Sequence, residues 1–255
     1  MDEGTASRTA RSVAAHRLDF ARAETPYGDP DADVALARDV TDGLAAPHTR
    51  MHDYLRGRTA FFDHVVVRSI ERGVAQVVVG AAGYDGRAFR YAKPGVRWFE
   101  VDHPATQADK LARIARLGID ARHVRFVAAD FARAPVAGLL AAAGLDPRSP
   151  ALFLLEGVAV YLDTDVLERV LGQFRAATVD GSVLAISVSL ASAQGQARER
   201  FRASVAALGE PARSVLVPQE AARLLAGQGW RVIEARDRLR AAGLLTARAT
   251  GPPTP

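Results

Sequence analysis

The chain has 255 residues, of which 49% are hydrophobic and 24% charged, with a net charge of +4. It contains no cysteine, which removes disulfides and thiolate metal sites, and no metal site is expected. No run approaches the ~20 apolar residues needed to cross a bilayer, and MDEGTASRTARS lacks the apolar core of a secretory signal, so no membrane partner and a cytoplasmic location are expected.

In chain order, residues 1–70 read as helical, without a strand signal. Ala6–Ala23 is arginine-rich and weakly amphipathic, and Thr25-Pro26-Tyr27-Gly28-Asp29-Pro30 interrupts it. Asp33–Leu44 and His48–Glu71 follow as helices; in the second, Tyr54, Phe61, Phe62, Val65, Val66 and Ile70 recur at helical spacing. From Gln76 onward strands and helices alternate. The expected strands are Gln76–Val79, Val96–Val101, Val124–Ala128, Ala151–Leu155 and Ser182–Leu190. Helices are expected at Gly86–Tyr91, Ala105–Leu117, Val136–Ala143 and Asp163–Ala177. A helix at Pro218–Gln228 and strands Trp230–Arg236 and Leu244–Ala249 close the pattern. The strands at 76–79 and 151–155 are nearly all apolar, as parallel strands covered on both faces are.

This pattern predicts an α/β fold. It is a Rossmann-like, doubly wound, mostly parallel seven-stranded sheet with a C-terminal antiparallel hairpin and an N-terminal helical lid. The expected organisation is a helical cap at 1–70, a core at 71–250 and a disordered tail at 251–255. Among the 33 basic residues only Lys93 and Lys110 are lysine. The arginines are scattered and form no basic block, and no basic strand is rich in aromatics, so nucleic acid is not an expected partner.

The stretch VVVGAAGYDGRAFR runs from an apolar strand into a turn with Gly80, Gly83 and Gly86. Such turns lie at the ligand-binding edge of parallel sheets. The spacing misses the dinucleotide fingerprint: Ala82 stands where the second glycine would let a pyrophosphate approach, and Asp85 opens the following helix. A carboxylate there would repel a pyrophosphate and suit a cationic or zwitterionic ligand. WFEVDHP places Glu100 and Asp102 at the end of the next strand, where a carboxylate can accept from both ribose hydroxyls of NAD or of S-adenosylmethionine. FVAADF puts Asp130 and Phe131 at the third strand end, suited to the amino group and ring of an adenine. LFLLEGVAVYL puts Glu156 at the mouth of a buried strand, where a positively charged ligand group is its natural partner.

Oxidoreductase and hydrolase chemistry lack their residues. No tyrosine has a lysine four positions on, no HExxH occurs, and no Gly-x-Ser-x-Gly elbow is present. His103 reads as a surface histidine. Methyl transfer remains, because S-adenosylmethionine carries its own leaving group and the protein has mainly to align the acceptor with the methyl carbon.

The stretches RTAFFD, VVVGAAGYDGRAFR, FEVDHPATQADK, FVAADF and LLEGVAVYL resemble the leucine carboxyl methyltransferase-like class I methyltransferases. They are most similar to the actinobacterial O-methyltransferase branch. The likeness runs from Arg56 to Leu162 and more weakly to Trp230. It implies that Arg58, with Arg56 as the alternative in RGRT, binds the methionine carboxylate, and that Gly80, Ala81 and Gly83 form the turn beneath the methionine. It implies Asp102 for the ribose with Glu100 as substitute, Asp130 and Phe131 for the adenine, Glu156 near the methionine amino group or sulfonium, and Tyr161 lining the cleft.

The family reads Gly where this chain has Ala81, which adds a methyl group near the ligand; Gly80 is expected to restore the lost flexibility. Arg17, Arg22, Arg87 and Arg90 are candidates to orient the acceptor; no catalytic residue is assigned, and Tyr161 and Arg87 are the positioning candidates. The N-terminal helices are expected to cover the acceptor, with residues between Leu190 and Pro218 as the other wall. The expected activity is S-adenosylmethionine-dependent O-methylation of a small-molecule carboxylate or hydroxyl, releasing S-adenosylhomocysteine. A non-catalytic cofactor-binding module and an NAD-dependent oxidoreductase are the alternatives.

Overall fold

The structure is a computed structural model that describes residues 8–42, 50–190, 213–234 and 243–251. It contains a seven-stranded mixed sheet with helices, and the chain divides into two compact units at Asp130/Phe131.

The first unit begins with α1 (Arg8–Arg17), α2 (Pro30–Thr41) and α3 (Arg50–Glu71), then β1 (Gln76–Gly80), α4 (Arg87–Arg90), β2 (Arg97–Asp102), α5 (Pro104–Leu117) and β3 (Val124–Ala128). Its strands run parallel in the order β3-β2-β1, with Gly80 opposite Val101 and Asp102 opposite Ala128. All five residues of β1 are buried. The N-terminal helices pack within this unit, α1 on α2 and α3, and α2 on α4 and α5.

The expected break is present at residues 25–29, and α2 starts at its last residue, Pro30. Asp29 accepts a hydrogen bond from the Ala32 N–H at 3.0 Å, and Pro30 occupies the first turn, where its missing N–H costs nothing. The helix therefore begins at Pro30 rather than Asp33.

The second unit contains α6 (Val136–Ala142), β4 (Leu152–Leu155), a 3-10 turn (Ala159–Tyr161), α7 (Thr164–Ala176), β5 (Val183–Ser187), α8 (Pro218–Gly227), β6 (Trp230–Glu234) and β7 (Leu244–Ala249). Its strand order is β4-β5-β7-β6, with β4 and β5 parallel and β7 antiparallel to both neighbours. Phe153 stacks on Phe174 at 4.9 Å and meets Trp230 edge-on at 5.8 Å. The indole N–H of Trp230 donates to the Leu171 carbonyl at 3.0 Å. Each such buried side chain contributes about 1.5–3 kcal/mol of apolar transfer.

The expected strand to Leu190 ends at Ser187, because its antiparallel partner ends there: Ser187 pairs with Leu244, the first residue of β7. Leu190 makes only an isolated bridge to Leu216. The expected helix residues Ala6–Ser7, Gly43–Leu44 and His48–Thr49, the strand residues Ala235–Arg236, most of the wall between Leu190 and Pro218, and the tail beyond Gly251 lie outside the described residues. No helix among the described residues is long and apolar enough to cross a membrane.

Candidate cofactor site

Gly80 ends β1 in the extended ladder, and the chain then turns through Ala81 at φ 52° and Gly83 at φ 50°. The Ala82 N–H donates to the Val101 carbonyl at 3.2 Å, and the Asp85 N–H closes back on the Ala82 carbonyl at 2.8 Å. Gly83 is required twice over: its φ is left-handed, and a Cβ there would lie 3.0 Å from the Ala10 Cβ of α1. Ala81 occupies the left-handed region with a side chain, at a cost of about 1–2 kcal/mol. The expectation that Gly80 would relieve this is corrected, since Gly80 is held in register opposite Val101 and the strain sits one residue later.

At the end of β2, the half-buried Asp102 accepts from the Gly83 N–H through Oδ2 and from the His103 N–H through Oδ1 at 2.6 Å. The carboxylate thereby ties the glycine turn to β2. An ionised carboxylate has about four acceptor directions, so each Asp102 oxygen keeps one for a further donor. That matches the paired hydroxyls of a ribose. Burial pushes the Asp102 pKa upward, against the pull of the Gly83 and His103 amides and of Lys110. His103 is not a bystander: its ring accepts from the Ala105 N–H at 3.4 Å and caps α5.

Glu100 lies on the same strand two residues earlier but serves another partner. It is 1% exposed, and its Oε2 accepts from Lys110 Nζ at 2.5 Å. In the structure this carboxyl group is engaged by Lys110 of α5. Burial pushes its pKa up to about 7, against the opposing charge of Lys110.

The candidate acceptor-orienting arginines are all drawn into ion pairs. Arg87 is fully buried; its Nε donates to Asp63 at 2.6 Å, its Nη1 to Asp85 at 2.5 Å, and its Nη2 to the Thr59 carbonyl at 3.4 Å. Arg22 grips Asp63 with Nε at 2.5 Å and Nη2 at 3.0 Å, and reaches Asp33 with Nη1 at 3.1 Å. Arg90 pairs with Asp33, and Arg17 reaches Asp85 at 3.4 Å. Burial works against the Asp63 carboxylate, but Arg87 and Arg22 hold its pKa down to about 2. Asp85 is consumed by the same network: it is buried and also accepts from the Arg87 N–H at 2.8 Å. It does not face a ligand as a bare carboxylate, which corrects the electrostatic argument drawn from it.

Of the two arginines in RGRT, Arg56 is solvent-exposed and pairs with Asp53 at 2.6 Å. Arg58 is buried, with its guanidinium 5.7 Å from the Tyr54 ring centre. Asp130 follows β3 by two residues and is half-buried.

In the second unit, Phe131 is buried with its ring edge against Phe174 at 6.3 Å. This contact fixes the ring beside α7 at the start of the second unit. Glu156 is half-buried immediately after β4, and the next residue, Gly157 at φ 72°, donates its N–H to the Ser187 hydroxyl at 2.7 Å. Tyr161, also half-buried, closes the 3-10 turn. A groove of about 430 Å³ between α7 and α8, lined by residues such as Glu168, Arg223 and Leu224, includes none of the expected site residues.

Sequence reasoning overlooked Asp63, whose carboxylate anchors the network, and Lys110, whose rarity in an arginine-rich chain was the available signal.

The family model for leucine carboxyl methyltransferase matches residues 9–175. A protein of Mycobacterium avium (strain 104), named as an S-adenosyl-L-methionine-dependent methyltransferase, is 33% identical over 275 aligned positions, covering 92% of this chain and 87% of its own. One from Streptomyces avermitilis with the same kind of name is 36% identical, covering 68% of this chain and 60% of its own. Among solved structures, a methyltransferase-named protein from Thermobifida fusca YX aligns with a TM-score of 0.58 at 21% identity, over 98% of this chain and 97% of that one. Magnesium protoporphyrin IX methyltransferase from Synechocystis PCC 6803, with bound S-adenosylhomocysteine, aligns at 0.52 and 10% identity, over 81% and 90%. These two share the fold.

Proposed function

The chain belongs to the leucine carboxyl methyltransferase family, as an S-adenosylmethionine-dependent methyltransferase, and on that footing we propose that it methylates an oxygen of a small-molecule acceptor. The observation that carries the cofactor placement is the Asp102 carboxylate bonded to the Gly83 N–H beside a left-handed turn. In this reading Asp102 receives the ribose hydroxyls, the turn from Gly80 to Gly83 underlies the methionine, and Arg58 binds its carboxylate. Asp130 accepts from the adenine amino group, Glu156 faces the methionine ammonium, and Tyr161 borders the acceptor. The helices of residues 8–71 cover the acceptor.

The cofactor supplies an electrophilic methyl group and a neutral thioether as leaving group. Asp102, Arg58 and the turn from Gly80 to Gly83 would hold the cofactor so that this methyl group is open to an acceptor oxygen. A carboxylate acceptor is already ionised at neutral pH and needs no base, whereas a hydroxyl acceptor must give up its proton. Alignment of the reacting atoms is then the protein's main contribution. Arg17, Arg22, Arg87 and Arg90 are each engaged by buried aspartates, so the reading assigns none of them to the acceptor.

Calorimetric titration with S-adenosylmethionine, S-adenosylhomocysteine and NAD tests the cofactor. Binding of both sulfur ligands is expected, and binding of NAD alone would return the chain to dinucleotide chemistry. Asp102→Ala is expected to weaken S-adenosylhomocysteine by about 1–3 kcal/mol, the scale of hydrogen bonds to a charged group. Turnover is read as S-adenosylhomocysteine release with panels of carboxylic acids and phenols. A protein that binds the cofactor and releases no product with any panel member would be the non-catalytic module instead.

A further inference from the structure

Lys110 is one of two lysines in the chain, and it is 1% exposed. Its Nζ donates to Glu100 Oε2 at 2.5 Å and to the Asp85 carbonyl at 2.7 Å, with the Phe89 ring centre 5.8 Å away. α5 thus reaches beneath β2 and holds the far end of the glycine turn. Among the contacts that pin that turn are the Ala82 N–H on Val101, the Gly83 N–H on Asp102, and the Asp85 carbonyl on Lys110, beside the Arg87 and Arg17 bonds to the Asp85 carboxylate. A compact ammonium can converge on two oxygens from one point, whereas the broad planar fork of an arginine cannot occupy the same place.

The pair is poorly explained by stability alone. A buried ion pair commonly adds little over an apolar pair of the same size, and here Glu100 Oε1 has no hydrogen-bond partner among the described residues. What the pair does supply is direction, because Glu100 fixes the ammonium and the ammonium fixes a backbone carbonyl.

We propose that Lys110 is a positioning residue for cofactor binding: held by Glu100, it fixes the Asp85 carbonyl, and with it the angle at which the Gly83 turn and Asp102 meet the cofactor. The inference rests on the cofactor reading above. Lys110 itself touches no ligand.

The test uses full-length protein carrying Lys110→Met, together with the neutral pair Glu100→Gln/Lys110→Met, which leaves no unpaired buried charge. Two quantities are read: S-adenosylhomocysteine affinity by calorimetry, and amide hydrogen exchange at Gly83, Asp85 and Arg87 in unliganded protein. The neutral pair is expected to keep the wild-type denaturation midpoint. It should bind about tenfold more weakly, the equivalent of losing one charge-assisted hydrogen bond, with faster exchange confined to the turn. A folded neutral pair with wild-type affinity overturns the proposal. So does weakened affinity without faster exchange, since the loss would then arise away from the turn. A wild-type protein that binds no S-adenosylhomocysteine overturns the cofactor reading itself, and that result is visible without any variant.

Discussion

In the first unit the buried side chains around the glycine turn include Arg87, Asp63, Asp85, Glu100 and Lys110, each within hydrogen-bonding distance of an oppositely charged group. In the second unit β4 is Leu-Phe-Leu-Leu, packed near Phe174 and Trp230, and Arg175 is the sole buried ionisable side chain among its described residues. Apolar burial is non-directional and tolerates small rotations. Hydrogen-bonded ion pairs fix angles as well as distances. A turn that must present particular N–H groups at a fixed orientation is therefore built on charges, while a strand that must only remain in place is built on hydrocarbon. The desolvation cost that goes with buried charge falls where orientation matters.

That contrast can be broken most forcefully at Arg87. Replacing it with methionine leaves Asp63 and Asp85 buried without their main partner, so Arg87→Met is expected to destabilise by about 3–5 kcal/mol, read as a fall in the urea midpoint. In the second unit Leu154→Ala removes buried apolar contact and should cost about 2–5 kcal/mol. Its effect should not change with salt or pH, and a pH-dependent Leu154→Ala penalty would show that the units do not differ as described.

The pH dependence sharpens the comparison further. Glu100 has its pKa raised from an ordinary 4.5 to about 7 by burial, so the folded chain holds a proton that the unfolded chain has released. Its contribution to stability is present below pH 4.5 and is lost as the pH rises through about 7. Asp63 behaves oppositely, contributing above its ordinary 3.8 and losing that contribution as the pH falls through about 2. The windows are separate. Urea midpoints between pH 4.5 and 7 should decline in the wild type, and Glu100→Gln should lessen that decline, the remainder following the raised Asp102, while leaving the acid limb intact. The smallest effect is expected from Ala81→Gly, which relieves a left-handed alanine but adds glycine's unfolded-state entropy. A net gain of up to about 1 kcal/mol should appear in the midpoint, and an equal loss would show that the left-handed alanine carries no strain worth relieving.

The order of strands and helices was legible because apolar periodicity is a local property: β1 and β4 announce themselves as unbroken hydrophobic runs. Their ends were less so. β5 stops where β7 begins to pair with it, almost sixty residues further along the chain, and no local signal at Ser187 carries that information. The glycine turn and the acid at the next strand end were legible, but the hydrogen bond that joins Gly83 to Asp102 was not. The destinies of Arg87 and Glu100 were not, because each is decided by a partner on another element, Asp63 on α3 and Lys110 on α5. An arginine beside a cleft reads as a ligand contact until the acid that buries it is known. Lys110 was visible as an oddity of composition, but its destination beneath β2 required the fold.

The scarcity of lysine also makes the molecule its own reporter. Lys93 is half-buried, with its ammonium 5.4 Å from the Tyr27 ring centre, whereas Lys110 is sealed between β2, α4 and α5. Amine acylation followed by mass spectrometry would thus compare one accessible side-chain amine with one sealed amine. Modification at residue 110 would time the moment at which α5 lifts away from the sheet.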